Sequence, residues 1–121
     1  MATTTEIPRQ AWRSYFDELT TALGTVEATV EVVGRDIGDQ FEAERHVLTD
    51  ITYDDTADAI VVGLDAPGPP PERRELRIEE PERVLVATGE APPLEVTYDI
   101  EDGEGHQWLI RLERPPTPPA E

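Results

Sequence analysis

The sequence predicts an α+β domain: an N-terminal amphipathic helix packed on a strongly bent antiparallel sheet, or a small β-barrel, of six to seven strands. Three observations carry this. One aromatic-rich stripe at helical spacing occurs near the start. Short segments that alternate apolar and polar residues follow it, separated by turn-forming clusters. The stretch Val26–Leu64 reads as a three-strand meander around which the remainder can pack.

Residues 1–6 are polar and are expected to be disordered, as unanchored termini are. Pro8 suits a first helical position, where its missing N–H costs nothing. Ala11, Trp12, Tyr15, Phe16, Leu19, Ala22 and Leu23 then recur at three- and four-residue intervals, and Gly24 ends the helix. Such a stripe needs a partner surface, and only the strands can supply it.

The first strand is expected over Val26–Val33, with Val26, Ala28, Val30 and Val32 inward. Gly34–Gln40 forms a loop in which Asp36 makes an Asx turn, Gly38 takes a left-handed backbone angle and Ile37 plugs the core edge. The second strand covers Phe41 to Tyr53. Val47, Ile51 and Tyr53 share a parity that Leu48 breaks, so a bulge or bend is expected there. Asp54–Asp58 is a turn, and Ile60, Val62 and Leu64 form the third strand. After the stiff Asp65–Pro71 connection, Leu76 and Ile78 mark a fourth strand. Val84-Leu85-Val86 is a fifth, following the turn Glu79–Glu82. Gly89–Pro93 is a loop. Leu94, Val96, Tyr98 and Ile100 alternate in a sixth strand, and Asp102-Gly103 signals a hairpin into a seventh with Trp108, Ile110 and Leu112 inward. The domain therefore spans residues 7–114, and the proline-rich residues 115–121 form a disordered tail.

Composition narrows function. The chain of 121 residues has 27 acidic and 10 basic side chains, a net charge of −17, and every basic residue is arginine. Phosphate recognition needs a basic footprint, so nucleic-acid and anionic-membrane partners are disfavoured. Dense carboxylates without lysine fit a salt-rich cytoplasm, where screening shortens to about 3 Å at molar salt, and fit equally an ordinary acidic protein from a GC-rich genome. With no cysteine there is neither disulfide nor thiol nucleophile. No apolar run is long enough to span a bilayer and no export signal is visible, so the protein is expected to be cytoplasmic.

Glu6-Ile7-Pro8-Arg9 with Trp12, the Asp36-Ile37-Gly38-Asp39-Gln40 loop and the Ile78-Glu79-Glu80-Pro81 turn resemble a small bacterial family known as domain of unknown function 5335. The likeness covers residue 5 to about residue 114. It implies a compact single domain and brings no activity. A helix before a bent sheet is also similar in outline to Sm-like RNA-binding barrels. Their Asp-x-apolar-Asn signature is absent, because Asp58-Ala59-Ile60 is followed by Val61, and their Arg-Gly pair has no equivalent near Val84–Thr88.

No catalytic constellation emerges. His46 and His106 are distant in sequence, and Ser14, the lone serine, sits on the helix without a nucleophile-elbow context. No phosphate-cradling motif occurs. Arg73 and Arg77 are expected to pair with Glu72, Glu75, Glu79 and Glu80. Pro115-x-x-Pro118 and Pro116-x-x-Pro119 have the spacing of an extended ligand for aromatic grooves, and an inert solubilising end is the simpler reading.

The first functional expectation is a non-catalytic protein-interaction or structural module, not an enzyme, with no cofactor and an unidentified protein partner, as a monomer or weak homo-oligomer. Arg35, Asp36 and Gln40 in the loop, with the exposed side of the helix, would form its surface. The second is a small-molecule barrel whose pocket between helix and sheet is lined by Trp12, Tyr15, Tyr98 and Trp108. The third is a divalent-metal site on the acidic hairpin at Asp99, Glu101 and Asp102, which lacks the flanking elements of a calcium loop.

Overall fold

In the computed structural model, which describes residues 3–88 and 96–113, one helix lies against a single eight-stranded antiparallel sheet. In chain order the elements are β1 (Thr3–Ile7), a 3-10 turn (Arg9–Ala11), α1 (Trp12–Ala22), β2 (Glu27–Gly34), β3 (Gly38–Asp54), β4 (Ala59–Ala66), β5 (Glu72–Glu79), β6 (Arg83–Thr88), β7 (Val96–Glu101) and β8 (Gln107–Glu113). Across the sheet the order is β1-β6-β7-β8-β2-β3-β4-β5. The outer strands β1 and β5 do not pair, so the sheet is bent but not closed, and the barrel alternative falls.

The eighth strand is β1, formed by part of the segment expected to be disordered. Thr3–Ile7 pairs with Thr88–Val84, and Ile7 joins the core at 8% exposure. Threonine is a good strand former, and a paired neighbour was already in place in β6. Pro8 accordingly sits before the 3-10 turn rather than inside a helix, in extended conformation. The helix proper starts only at Trp12.

β3 dictates the shape. It is 17 residues long. Its first half pairs with β2 and its second half with β4, overlapping at Val47. From Ala28–His46 to Val30–Ala43, β2 advances two residues while β3 advances three. From Val30–Ala43 to Glu31–Phe41 the steps are one and two. Against β4, Leu48–Leu64 to Asp50–Gly63 repeats the slip. Each extra residue on β3 is a bulge that adds bend and twist. Arg45 takes a left-handed φ of 52° at the first of them.

These slips correct one expectation about facing. Val47, placed inward by parity, is 39% exposed, whereas Leu48 is 2% exposed. The bulge between Ala43 and Leu48 swaps the faces. Elsewhere the alternation holds: Ala28, Val30, Ile60, Val62, Leu64, Ile78, Val84, Ile100 and Ile110 are fully buried. Leu94 and the 115–121 tail lie outside the described residues.

Where β2 stops pairing, α1 takes over. Thr20 Oγ1 donates to the Ile51 carbonyl at 2.7 Å and accepts from the Ile51 N–H at 3.0 Å. A side chain thus does for β3 what a neighbouring strand would do. Trp12 and Phe16 project from the helix into the core at 1% and 0% exposure, and Trp12 Nε1 donates to the Ile7 carbonyl at 2.8 Å. The Arg9 guanidinium lies 4.4 Å from the Trp12 ring centre and donates to the Pro81 carbonyl. It ties the helix entry to the turn before β6.

Thr20→Val keeps the volume and removes both hydrogen bonds to Ile51. The expected cost is about 1–3 kcal/mol in urea unfolding, the penalty for leaving part-buried backbone groups without partners. A loss within a few tenths of a kcal/mol would show that water replaces the hydroxyl.

Candidate interaction surface

The Gly34–Gln40 segment is a tight turn rather than a long loop. Gly34 pairs with Gly38, and only Arg35, Asp36 and Ile37 lie between. Gly38 has φ 69°, the left-handed position a three-residue hairpin needs. Ile37 is half-buried and outside the core cluster, which corrects its assignment as a core plug. Gln40 is exposed and its Nε2 lies 3.4 Å from the Ile37 carbonyl, bracing the turn internally.

The sequence did not connect this turn with the β7–β8 hairpin, but β2 and β8 are neighbours and bring the two together. His106 Nε2 lies 2.8 Å from Asp36 Oδ1, and His106 Nδ1 lies 3.7 Å from Asp102 Oδ2. The hydrogen bond to Asp36 raises the His106 pKa from its ordinary value, and the same bond lowers that of Asp36. Gly34 is required here, because a Cβ would collide with the His106 ring.

Asp102 has a structural task. It is 7% exposed, and its Oδ1 accepts from the Glu104 and His106 N–H groups at 2.9 Å each. Its Oδ2 accepts from Trp108 Nε1 at 3.0 Å. With both oxygens engaged, Asp102 shapes the hairpin, and the expected trio with Asp99 and Glu101 does not converge. Among the described residues no group of three His, Asp or Glu side chains is disposed to hold a metal ion.

The four aromatics expected to line a pocket fill space instead. Trp12 packs edge-on against Tyr53, with ring centres 5.3 Å apart, and Tyr98 is 1% exposed. Tyr15 lies edge-on to Tyr98 with their hydroxyls 3.0 Å apart, and burial pushes the Tyr98 pKa up. Trp108 is half-buried against the core, with its indole N–H on Asp102. Ser14 is exposed and bonds to the Ala11 carbonyl. Arg77 pairs with Glu79 and Arg73 with Glu75 at 4.0 Å, as expected, and Arg73 also reaches Asp50 at 3.1 Å, across the space left by Gly63.

The arrangement that stands out lies on the outer, solvent-facing side of the sheet. Strand register places Phe41, Glu31, Leu109, Asp99, Leu85 and Glu6 in one row, on β3, β2, β8, β7, β6 and β1 respectively. Apolar and acidic residues alternate along it. Phe41 is 57% exposed, the most exposed large apolar side chain among the described residues. Asp39, by hydrogen bond and charge, raises the Glu31 pKa, aided by partial desolvation, while Arg111 opposes it. Partial burial and the Glu101 charge raise that of Asp99, whose Oδ1 is buried without a hydrogen-bond partner among the described residues. Beside this row, toward the turn, Val33, Arg35, Glu82, Glu101 and Gln107 line an open cleft of about 600 Å³. Arg35 and Glu101 therefore share one surface, which their sequence positions did not suggest.

Comparison with known proteins adds kinship without activity. Residues 3–121 match the family model described as "Family of unknown function (DUF5335)", and the chain belongs to that family. It is similar to an uncharacterized protein of Aquifex aeolicus, strain VF5, with 31% identity over 109 residues, covering 90% of this chain and 91% of that protein. No solved structure matches. Among the described residues no helix is long and apolar enough to cross a membrane, which says nothing of strands.

The Asp36–His106 pair gives a pH dependence of definite sign. His106, with its pKa raised above the ordinary 6.5, contributes stability that is complete below that value and declines as pH rises through the folded pKa. Asp36, with its pKa lowered from 3.8, contributes above that value and loses its contribution as pH falls through its folded pKa. The pair is thus strongest between these two ordinary values. Asp36→Asn is expected to move the His106 imidazole midpoint downward in an NMR titration. An unchanged midpoint would show that the contact is not kept in solution.

Proposed function

We propose, starting from membership of this family of unknown function, that the chain is a non-catalytic protein-interaction module. It works as a monomer or weak homo-oligomer in a salt-rich cytoplasm, without a cofactor. Its contact surface is the outer face around Phe41, Leu109 and the Arg35–Glu101 cleft. The observation that carries this reading is Phe41, held more than half exposed in a row with two further apolar side chains. In a chain of low apolar content, three such side chains aligned on the solvent face oppose folding economy unless something covers them. The exposed flank of α1 contributes less, since its aromatic residues point into the core.

Replacing Phe41 with a photo-crosslinking phenylalanine analogue in the native host tests this. Irradiation is expected to yield a discrete protein adduct at Phe41 and none from the same analogue at Arg77 on the β5 edge. Absence of an adduct at Phe41 would remove the interaction reading.

The salt-rich setting makes a separate prediction. With 27 carboxylate side chains against 10 arginines, most acidic groups have no cationic partner and repel one another. The melting temperature is expected to climb steadily as KCl is raised toward molar concentration. A flat profile would overturn the salt-rich assignment and leave the contact surface untouched.

A further inference from the structure

The outer row has a spacing as well as a composition. We propose that it receives a basic amphipathic α-helix of a partner protein, laid across the strands. This rests on the interaction reading above and names the partner's chemistry. Phe41, Leu109 and Leu85 sit on every second strand, so neighbours in this series are about 9.6 Å apart, twice the strand spacing. Glu31 and Asp99 occupy the midpoints. An α-helix repeats an apolar position every seven residues, or about 10.5 Å, and places residues three and four along it near the midpoint on the same face. The two spacings thus differ by about 0.9 Å per repeat.

Other extended partners fit less well. A β-strand returns to the same face about every 6.7 Å. A polyproline helix returns about every 9.3 Å but turns its intermediate residues away from the line, which leaves the carboxylates unmatched. Charge selects the sign. The row carries the carboxylates of Glu31, Asp99 and Glu6, and a lysine or arginine at each helix midpoint would meet this negative charge and relieve the repulsion between Glu31 and Asp39. A second copy of this chain would present like charge to like charge.

The test titrates a helix-forming peptide of about 18 residues into the full chain labelled with nitrogen-15. The peptide has leucine at each seventh position, lysine at the intervening third and fourth positions, and alanine elsewhere. Saturable shifts on the outward residues of β2, β3 and β6–β8, with affinity below about 1 mM, are expected. Leu109→Ser, and separately Glu31→Gln with Asp99→Asn, should each weaken binding by at least about tenfold, with far-ultraviolet circular dichroism confirming that the variants fold. No saturable binding, equal binding of a scrambled peptide of the same composition, or unchanged affinity in the variants would each overturn the proposal. So would concentration-dependent shifts of the same residues without peptide, which would assign the face to self-association. Failure of the peptide alongside a successful adduct at Phe41 would remove the helical partner and leave the interaction reading standing.

Discussion

One strand must serve two differently directed pieces of sheet, and the rest of the structure depends on how β3 does so. A regular strand pairs with its two neighbours along the same stretch. β3 instead gives its first half to β2 and its second half to β4, and three extra residues turn it between them. The bend lets β1, β6 and β7 wrap one side of the core while β4 and β5 wrap the other. It also leaves β3 after Val47 without a strand on the side that β2 had occupied. Thr20 meets the backbone groups of Ile51 there, so the helix is positioned by hydrogen bonding as well as by the burial of Trp12 and Phe16. An open sheet with one helix across its bend is a direct consequence.

The alternating segments made most of this fold legible from sequence. Val30, Val62, Ile100 and Ile110 each lie in a period-two pattern, and each is fully buried. Two features escaped. Val47 and Leu48 exchanged faces because a residue added to a strand flips everything after it, and the phase break at Leu48 shows that a slip exists without locating it. Arg45, which carries the left-handed angle, gives no local signal, since arginine has no preference for that conformation. β1 escaped for a different reason. Three threonines and a glutamate form no periodic pattern, and their strand exists because β6 presents an edge to them. Local propensity cannot report a partner nearly eighty residues away.

The residues of the candidate surface were less legible because their relations cross strands. Asp36 and His106 are seventy residues apart, and only the pairing of β2 with β8 makes them neighbours. Asp102 was visible as part of an acidic cluster, but the cluster suggested a metal site. Its actual partners are two backbone N–H groups and the Trp108 indole. A carboxylate beside a glycine turn and an aromatic residue is as well suited to organising a hairpin as to holding a cation. Deciding between them requires knowing whether the oxygens are already occupied. Trp12, Tyr15, Tyr98 and Trp108 stand out as one aromatic group in the sequence, but Trp12 packs on Tyr53 while Tyr15 and Tyr98 pack on Phe16 and on each other.

The outer row follows from the same register that builds the core. In each of β2, β6, β7 and β8, the residues inward of the pleat are the aliphatic and aromatic side chains of the interior, so the residues between them must face solvent. A sequence selected only for burial would leave those outward positions polar throughout, as Thr29, Thr97 and Arg111 are. Glu31, Asp99 and Glu6 obey that rule, whereas Phe41, Leu109 and Leu85 depart from it on every second strand. No single strand records the pattern, because each contributes one residue to the row. Burial of the opposite face does not require it either, since any polar side chain would satisfy the fold at those positions. Alignment of three such departures across strands drawn from three separate parts of the chain is the observation on which the proposed partner contact rests.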